Sequence, residues 1–517
     1  FKEIFKRKYS LFMKKLLVTS IFCFSSLFTV AQSGYEITIN LKNAPDTLAY
    51  LTYYQFDKTL IKDTCTNIEN GKIVFKGKGK LDKGIYSLVS QAKSIYFDFF
   101  IDDNTQKLEL KTEASPNIGK ELTALNSPLE NDFFSYVQYI NQQNKDFQTY
   151  KQTVKLVTKK DTLALNSRQK EIEKSINDFE EKFIADHKGT YIADVMNLKS
   201  EKLLKDIPKA SNGRPDSIQV YNYYRKHYWD NVDFKDDGVI RNPFFNTKIK
   251  RYFESVVVMH PDSISVEIDR IMNKTKPGSL TYKLLLAHFT YTYETTKIMG
   301  FDKVFVHMSD NYFKTGKANG IYDDEDVVQK IIKRADKLKP LLIGATAQDL
   351  FMIRAEDFPK MKAMGFEDAK NSEEMTNVYY KNVDQVSKMY VKLSDVKADY
   401  TVLLFWDVDC GHCQKEIPVL LEQYNELLKE KKDIKVFSVY MQHEGDKYLK
   451  YIDEHKLPWI NVYDGAHYNN AVEKYDVYST PVTYILDKNK VIKAKRIDAN
   501  QLKTIINAIE YESKKGK

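Results

Sequence analysis

Cysteine is scarce: four residues in 517, at positions 23, 65, 410 and 413. So few thiols exclude a disulfide-stapled scaffold. Without a second Cys-x-x-Cys they also exclude a zinc site built from two cysteine pairs. Long apolar runs are missing beyond the first thirty residues, so no membrane-spanning segment is expected after them. No fixed-period repeat or low-complexity tract is present. The histidines lack metal-binding spacing: His227, His260, His288 and His307 form no His-x-x-x-His pair, and no metal site is expected. One-sided charge is lacking too. The formal net charge is +8 over the whole chain, and residues 1–31 hold six Lys/Arg against one Glu. The remainder therefore carries about +3, which removes the case for a nucleic-acid partner.

The first thirty residues read as an address label. Met13-Lys14-Lys15, the apolar run Leu16–Val30 and the small residues around Ala31 form a signal-peptide pattern. Residues 1–12 lie upstream of it and are set aside from the fold. Cys23 sits in the middle of the apolar run, which argues against a lipid anchor. The expectation is cleavage and export to a periplasm or cell envelope. The exported chain then keeps three cysteines, of which Cys410 and Cys413 are the one usable pair.

That pair sits in Leu403–Pro418, LLFWDVDCGHCQKEIP. Val402–Trp406 reads as a buried strand, and a helical pattern starts after Cys413. A strand that delivers two cysteines to the first turn of a helix is a redox arrangement. Outward-pointing N–H groups and the helix dipole favour thiolate at the first cysteine. The spacing lets the second thiol attack the mixed disulfide that the first one forms. Cys410 is the expected nucleophile and Cys413 the resolving thiol. Gly411 and His412 lie between them, and an imidazolium at His412 would favour thiolate and make the pair more oxidising. Asp409 is expected to cap the helix first and tune the thiol second.

Together with Thr480-Pro481 ahead of the strand-like run Val482–Leu486, and Pro418 inside the helix, these residues make the chain from about Leu341 onward resemble the thioredoxin superfamily, in its exported TlpA- and ResA-like branch. The resemblance implies a cis-proline at Pro481 facing the cysteines, with Thr480 and Trp406 as substrate contacts. It also implies an acid at Glu416 that relays a proton to or from the resolving thiol. Two departures stand out: Asp409 replaces the family's usual tryptophan, and Leu404 replaces the buried acid of thioredoxin itself.

Upstream, residues 32–126 read as β. Tyr35–Leu41 alternates, and Ile73–Phe75, Ile85–Val89, Ile95–Ile101 and Leu108–Leu110 are further strand-like runs. Asn70-Gly71 has the chemistry of a hairpin turn. Cys65 is expected to be a small strand residue with no partner. Residues 127–340 read as mostly helical, with helices expected over Ser167–His187, Leu280–Met299 and Asp323–Leu338. The aromatic clusters Tyr221–Trp229 and Phe289–Tyr293 read as core. Both regions resemble domains of unknown function that precede exported thioredoxin folds, the second over roughly Val220–Gly344. Within 341–517, Phe351–Tyr390 reads as a polar, helical insertion and Trp459–Val462 as a connection.

The expected architecture is thus multidomain α+β: a β-sandwich-like domain, a mostly helical domain and a C-terminal α/β thioredoxin fold. The expected activity is thiol–disulfide exchange on client proteins that carry thiols or disulfides. No cofactor is expected beyond the redox-active Cys410–Cys413 disulfide. Two directions stay open: reduction supplied by a membrane electron donor, or oxidation and isomerisation as Cys-Gly-His-Cys implies. A thioredoxin fold used only as a docking module of an envelope scaffold is the rival from another class.

Overall fold

The computed structural model describes residues 34–515 apart from 45, 46, 94, 116, 117, 155–157, 443, 466 and 467. The signal sequence read at Met13–Ala31 lies outside the described residues. The chain divides into two compact units, Phe1–Val256 and Val257–Lys517.

The first unit is a sandwich with helices on one flank. Its strands are β1 (Tyr35–Lys42), β2 (Ala49–Gln55), β3 (Lys58–Cys65), β4 (Lys72–Gly77), β5 (Gly84–Ser90), β6 (Tyr96–Ile101), β7 (Lys107–Glu113) and β8 (Thr123–Ala124). They form two four-stranded sheets, β4-β1-β7-β8 and β3-β2-β5-β6. Strand alternation decides the layers. Ile37, Ile39, Phe75 and Leu110 of one sheet share a core with Leu51, Leu88, Phe97 and Phe99 of the other. Ile85 and Phe100 point the opposite way, into a second cluster with Tyr136, Phe183 and Ile192. Those residues come from α1 (Pro128–Thr153), α2 (Lys159–Asp186) and α3 (Tyr191–Lys199); α4 (Ser217–His227) and α5 (Pro243–Arg251) follow. Helix α2 begins earlier than the Ser167 start read from its periodicity, because Thr158 and Asp161 close a capping box there.

Asn70-Gly71 does form a tight turn, with both residues at positive φ and Lys72 N–H donating to the Glu69 carbonyl at 2.9 Å. The hairpin expected around it is reduced to one antiparallel bridge, Glu69 to Lys72, with no ladder between the flanking strands. β3 pairs with β2 and β4 pairs with β1, so the turn carries the chain from one sheet to the other. The β2–β3 hairpin escaped the sequence reading. β3 is an edge strand whose residues are mostly exposed, so it lacks the apolar alternation that marks a half-buried strand.

The second unit opens with α6 (Pro261–Met272), α7 (Leu280–Glu294), α8 (Asp302–Met308) and α9 (Glu325–Leu338). Its strands are β9 (Phe351–Arg354), β10 (Tyr390–Lys392), β11 (Tyr400–Trp406), β12 (Ile434–Tyr440), β13 (Ile460–Tyr463), β14 (Val482–Asp487) and β15 (Ile492–Lys495). They form one mixed sheet in the order β10-β9-β13-β12-β11-β14-β15. Its helices are α10 (Phe358–Ala363), α11 (Ser372–Met389), α12 (Gly411–Lys429), α13 (Gly445–His455), α14 (Ala471–Tyr475) and α15 (Leu502–Lys515). β11, β12 and β13 run parallel, joined by α12 and α13, and β14 and β15 are antiparallel. Helices cover both faces, so β11 is buried on each side. Val402, Leu404 and Trp406 face one core, and Leu403 and Phe405 the other.

Two readings in this unit need correction. Phe351–Tyr390 is not wholly helical: Phe351–Arg354 is β9, paired with both β10 and β13. Trp459–Val462 is more than a connection, since Ile460–Tyr463 is a parallel strand beside β12. Strands of four residues show too few alternations to be read from periodicity, and their neighbours decide them. Helix α7 stops at Glu294 rather than Met299, where Thr295 closes the last turn onto Tyr291.

Candidate active site

Cys410 is the N-cap residue of α12. Its Sγ accepts the Cys413 backbone N–H at 3.4 Å, and its thiol lies 3.3 Å from the Thr480 carbonyl, to which it donates. Burial pushes the Cys410 thiol up, and hydrogen bonds from the Cys413 thiol, the Thr480 side-chain hydroxyl and the backbone N–H groups of Cys413 and His412 outweigh it. The net result is a thiol held below its ordinary value. Cys413 is the opposite case. It is fully buried one helical turn inward, and burial, with its hydrogen bond to Cys410, pushes its thiol up to about 12. Cys65, the third cysteine of the described residues, is buried in the first unit. One accessible thiol that ionises readily and one enclosed thiol that does not form a functional division of labour.

The local chain explains the placement. Strand β11 ends at Trp406, and the Asp407–Asp409 loop turns the chain into α12. Asp407 Oδ1 accepts the Asp409 N–H at 2.9 Å, and its Oδ2 accepts Gln442 Nε2 at 2.8 Å. Gln414 Nε2 donates to the Val408 carbonyl at 2.9 Å and ties the loop to the helix. Gly411 and His412 are both exposed on the first turn. The Thr480-Pro481 bond is cis, and both residues are half-buried next to the thiols.

Three expected roles change. Asp409 does not cap the helix. The cap position belongs to Cys410, and Asp409, one residue outside it, turns its carboxylate to Lys447 Nζ at 2.8 Å. Trp406 is not a substrate contact. It is fully buried, donates from Nε1 to Ser438 Oγ at 2.7 Å, and packs among Tyr440, Tyr448 and Tyr451. Residue parity on β11 turns it into the core below α12. The structure places Glu416 half-buried with its carboxylate accepting the Ala499 N–H at 2.6 Å, where it links α12 to the start of the last helix. Among the described residues no hydrogen bond joins Glu416 to either thiol.

The sequence reading missed the residues that anchor the segment before Pro481. Asp476 is buried and accepts from Arg334 Nη2 at 2.9 Å and from Arg496 Nη2 at 2.7 Å. Arg334 lies 142 positions away in sequence, so no local pattern could have pointed to it. Of the histidines in the helical region, His307 pairs with Asp269 at 3.0 Å and His227 with Asp230 at 2.6 Å.

A βαβ unit with a Cys-x-x-Cys at its helix start, faced by a proline-bearing loop on a mixed sheet, defines a thioredoxin-like oxidoreductase domain. Residues 374–495 match the AhpC/TSA family, and the C-terminal part of the chain is an AhpC/TSA thioredoxin-like domain. Residues 35–133 match a domain of unknown function (DUF4369), and residues 164–328 match another (DUF5106). The chain is similar to a domain of a possible thiol-disulfide isomerase from Cytophaga hutchinsonii, with 32% identity over 34% of this chain and 98% of that one and a TM-score of 0.27. It is also similar to a thioredoxin-like protein from Bacteroides caccae, with 19% identity over 59% of this chain and 99% of that one and a TM-score of 0.31. A third similar structure is a thiol:disulfide interchange protein from Bacteroides sp., with 21% identity over 32% of this chain and 88% of that one and a TM-score of 0.24. The search of curated proteins found no match.

Proposed function

We propose that this chain is an exported thiol–disulfide oxidoreductase that acts on protein cysteines through Cys410 and Cys413. The observation that carries this reading is the asymmetry of the pair: a part-exposed thiol at the helix cap, held below its ordinary value by its hydrogen bonds, and a fully buried one behind it, pushed up by burial. In the reducing direction, Cys410 thiolate attacks a client disulfide. A mixed disulfide forms and the client's other sulfur leaves as thiolate. Cys413 then gives up its proton and attacks Cys410 Sγ, which releases the second client sulfur and leaves the Cys410–Cys413 disulfide. Two electrons pass from the pair to the client. The reverse sequence oxidises a client dithiol. The pair itself carries the electrons.

His412 and the ion pair of Asp409 with Lys447 both favour the oxidising or isomerising direction. A histidine between the two cysteines would, when charged, stabilise the thiolate of the reduced form, and Lys447 offsets a carboxylate that would otherwise repel it. The signal-peptide pattern of residues 13–31 supports a periplasmic or envelope location, where clients with disulfides occur. A membrane electron donor belongs to the reductase reading alone.

Turnover of a disulfide-bonded protein by the purified chain tests the activity and separates it from the scaffold reading. Cys410→Ser should abolish turnover and Cys413→Ser should accumulate a mixed disulfide; full turnover by Cys410→Ser would remove the catalytic claim. Titration against glutathione tests the direction. The expected potential lies between about −270 and −180 mV, nearer the second, and His412→Pro should lower it by tens of millivolts. A wild-type value at or below about −270 mV would put the reductase reading in front.

A further inference from the structure

The segment Asp476–Pro481, between α14 and β14, carries the Thr480 carbonyl that lies 3.3 Å from Cys410 Sγ. At its far end β14 holds it in the sheet. At its near end the chain turns through Asp476, at a φ of 55°, and Asp476 is 1% exposed. A carboxylate that buried needs cationic partners with good geometry. Arg496 supplies one, donating to the Asp476 carbonyl at 2.8 Å and to Oδ2 at 2.7 Å. Arg334 on α9 supplies the other as a two-pronged fork, from Nη2 to Oδ2 at 2.9 Å and from Nη1 to Oδ1. A planar fork fixes direction as well as charge. One turn further along α9, Lys337 pairs with Glu473 and with the Tyr478 hydroxyl, and its ammonium stands 4.8 Å from the centre of the Tyr478 ring. Glu473 Oε1 accepts from the same hydroxyl at 3.1 Å. Tyr478 is nonetheless 63% exposed, two residues before Thr480.

Helix α9 lies outside the residues that match the AhpC/TSA family. We propose that Arg334 and Lys337 of α9 are positioning residues that fix the segment Asp476–Pro481, with the Thr480 carbonyl against Cys410 and the exposed Tyr478 ring two residues before it, so that docking of a polypeptide client at this loop depends on a helix outside the thioredoxin-like match. The proposal rests on the thiol–disulfide reading above. Loss of a purely structural clamp would lower stability and leave substrate recognition alone. Loss of a positioning clamp weakens recognition of a polypeptide while sparing a small disulfide that has no chain to dock.

The test compares wild type, Arg334→Gln, Arg334→Lys and Lys337→Met, all as the full exported chain and well below their melting temperatures. A disulfide-bonded peptide and glutathione disulfide are the two substrates. For Arg334→Gln and Lys337→Met, KM for the peptide should rise about threefold or more, with the rate on glutathione disulfide within about twofold of wild type. Arg334→Lys should restore charge without the fork and recover only part of the loss. An unchanged peptide KM in folded variants overturns the proposal. If Arg334→Gln does not fold, Lys337→Met decides it, since that side chain anchors only exposed partners. If the wild type turns over neither substrate, the thiol–disulfide reading has failed by itself. The positioning claim is then judged by alkylation of Cys410 with iodoacetamide across pH. The midpoint should move in the folded Arg334 variant, or in Lys337→Met where that one does not fold, as the Thr480 contact loosens; an unmoved midpoint overturns it.

Discussion

At the scale of single residues, two thiols three positions apart behave in opposite ways because of where the helix begins. Cys410 occupies the cap and faces N–H groups; Cys413 faces the core. Iodoacetamide at neutral pH should therefore label Cys410 and spare Cys413. Thiolate is the reactive form, and Cys410 is held below the ordinary thiol value, so its labelling rate should level off at a lower pH than that of a free cysteine. Mass spectrometry of the labelled protein checks the site, and equal labelling of both thiols would contradict the asymmetry. Trp406 belongs to the same scale. Phe in its place deletes the bond to Ser438 and part of the ring, and should cost about 1–3 kcal/mol. Chemical denaturation should show that loss, while exchange with glutathione disulfide should stay near the wild-type rate. A large fall in rate at unchanged stability would return Trp406 to the substrate contacts.

At the scale of elements, the start of α1 carries a second buried acid with a measurable consequence. Ser127 caps the helix by accepting the Glu130 N–H. Glu130 does not reach back to complete a box. Its Oε1 accepts the Phe100 N–H of β6 at 2.9 Å, and its buried Oε2 has no hydrogen-bond partner among the described residues. Burial, partly offset by the Phe100 bond, pushes the Glu130 carboxyl up to about 8. The folded state thus keeps a proton that the unfolded chain releases above the ordinary carboxyl value. The resulting stability is fully present below about pH 4.3 and is lost as pH rises through about 8. Over that window wild type should lose on the order of 5 kcal/mol from this group. Glu130→Gln should flatten that slope, because an amide needs no proton and still accepts from Phe100. Urea midpoints from pH 5 to 9 measure both slopes, and parallel slopes would show that Glu130 is ionised in the fold.

At the scale of the whole molecule, the second compact unit begins at Val257, and α6–α9 lie in it with the sheet. Two ion pairs, each with one buried partner, make the connection specific. Arg334 reaches Asp476, and Asp302 reaches Lys495, which is 6% exposed. A fragment covering residues 257–517 keeps both pairs and should unfold in one cooperative transition with its thiol exchange intact. A fragment starting at Leu341 leaves Lys495 without its carboxylate and Asp476 with one arginine. Stripping a buried charge of its partner costs about 3–5 kcal/mol, so the shorter fragment should melt well below the longer one. Calorimetry of the two fragments decides it, and equal melting temperatures would show that the helices add nothing to the sheet.

By itself the sequence determined what depends on near neighbours along the chain. The strand Val402–Trp406, the cysteine pair at a helix start and the final hairpin each follow from apolar runs, turn chemistry or spacing, because backbone geometry imposes a short period on them. The tertiary structure decided everything that depends on what lies across the sheet. Trp406 turned inward because β11 is covered on both faces, and a strand buried on both sides shows no alternation from which to read a direction. Asp409 found Lys447 rather than the helix N–H groups because α12 starts one residue too late for it to cap. β9 and β13 became strands only beside their partners. The grip of Arg334 on Asp476 spans 142 positions, and a buried carboxylate takes its charge partner from whatever element the fold brings within reach, which no local pattern encodes.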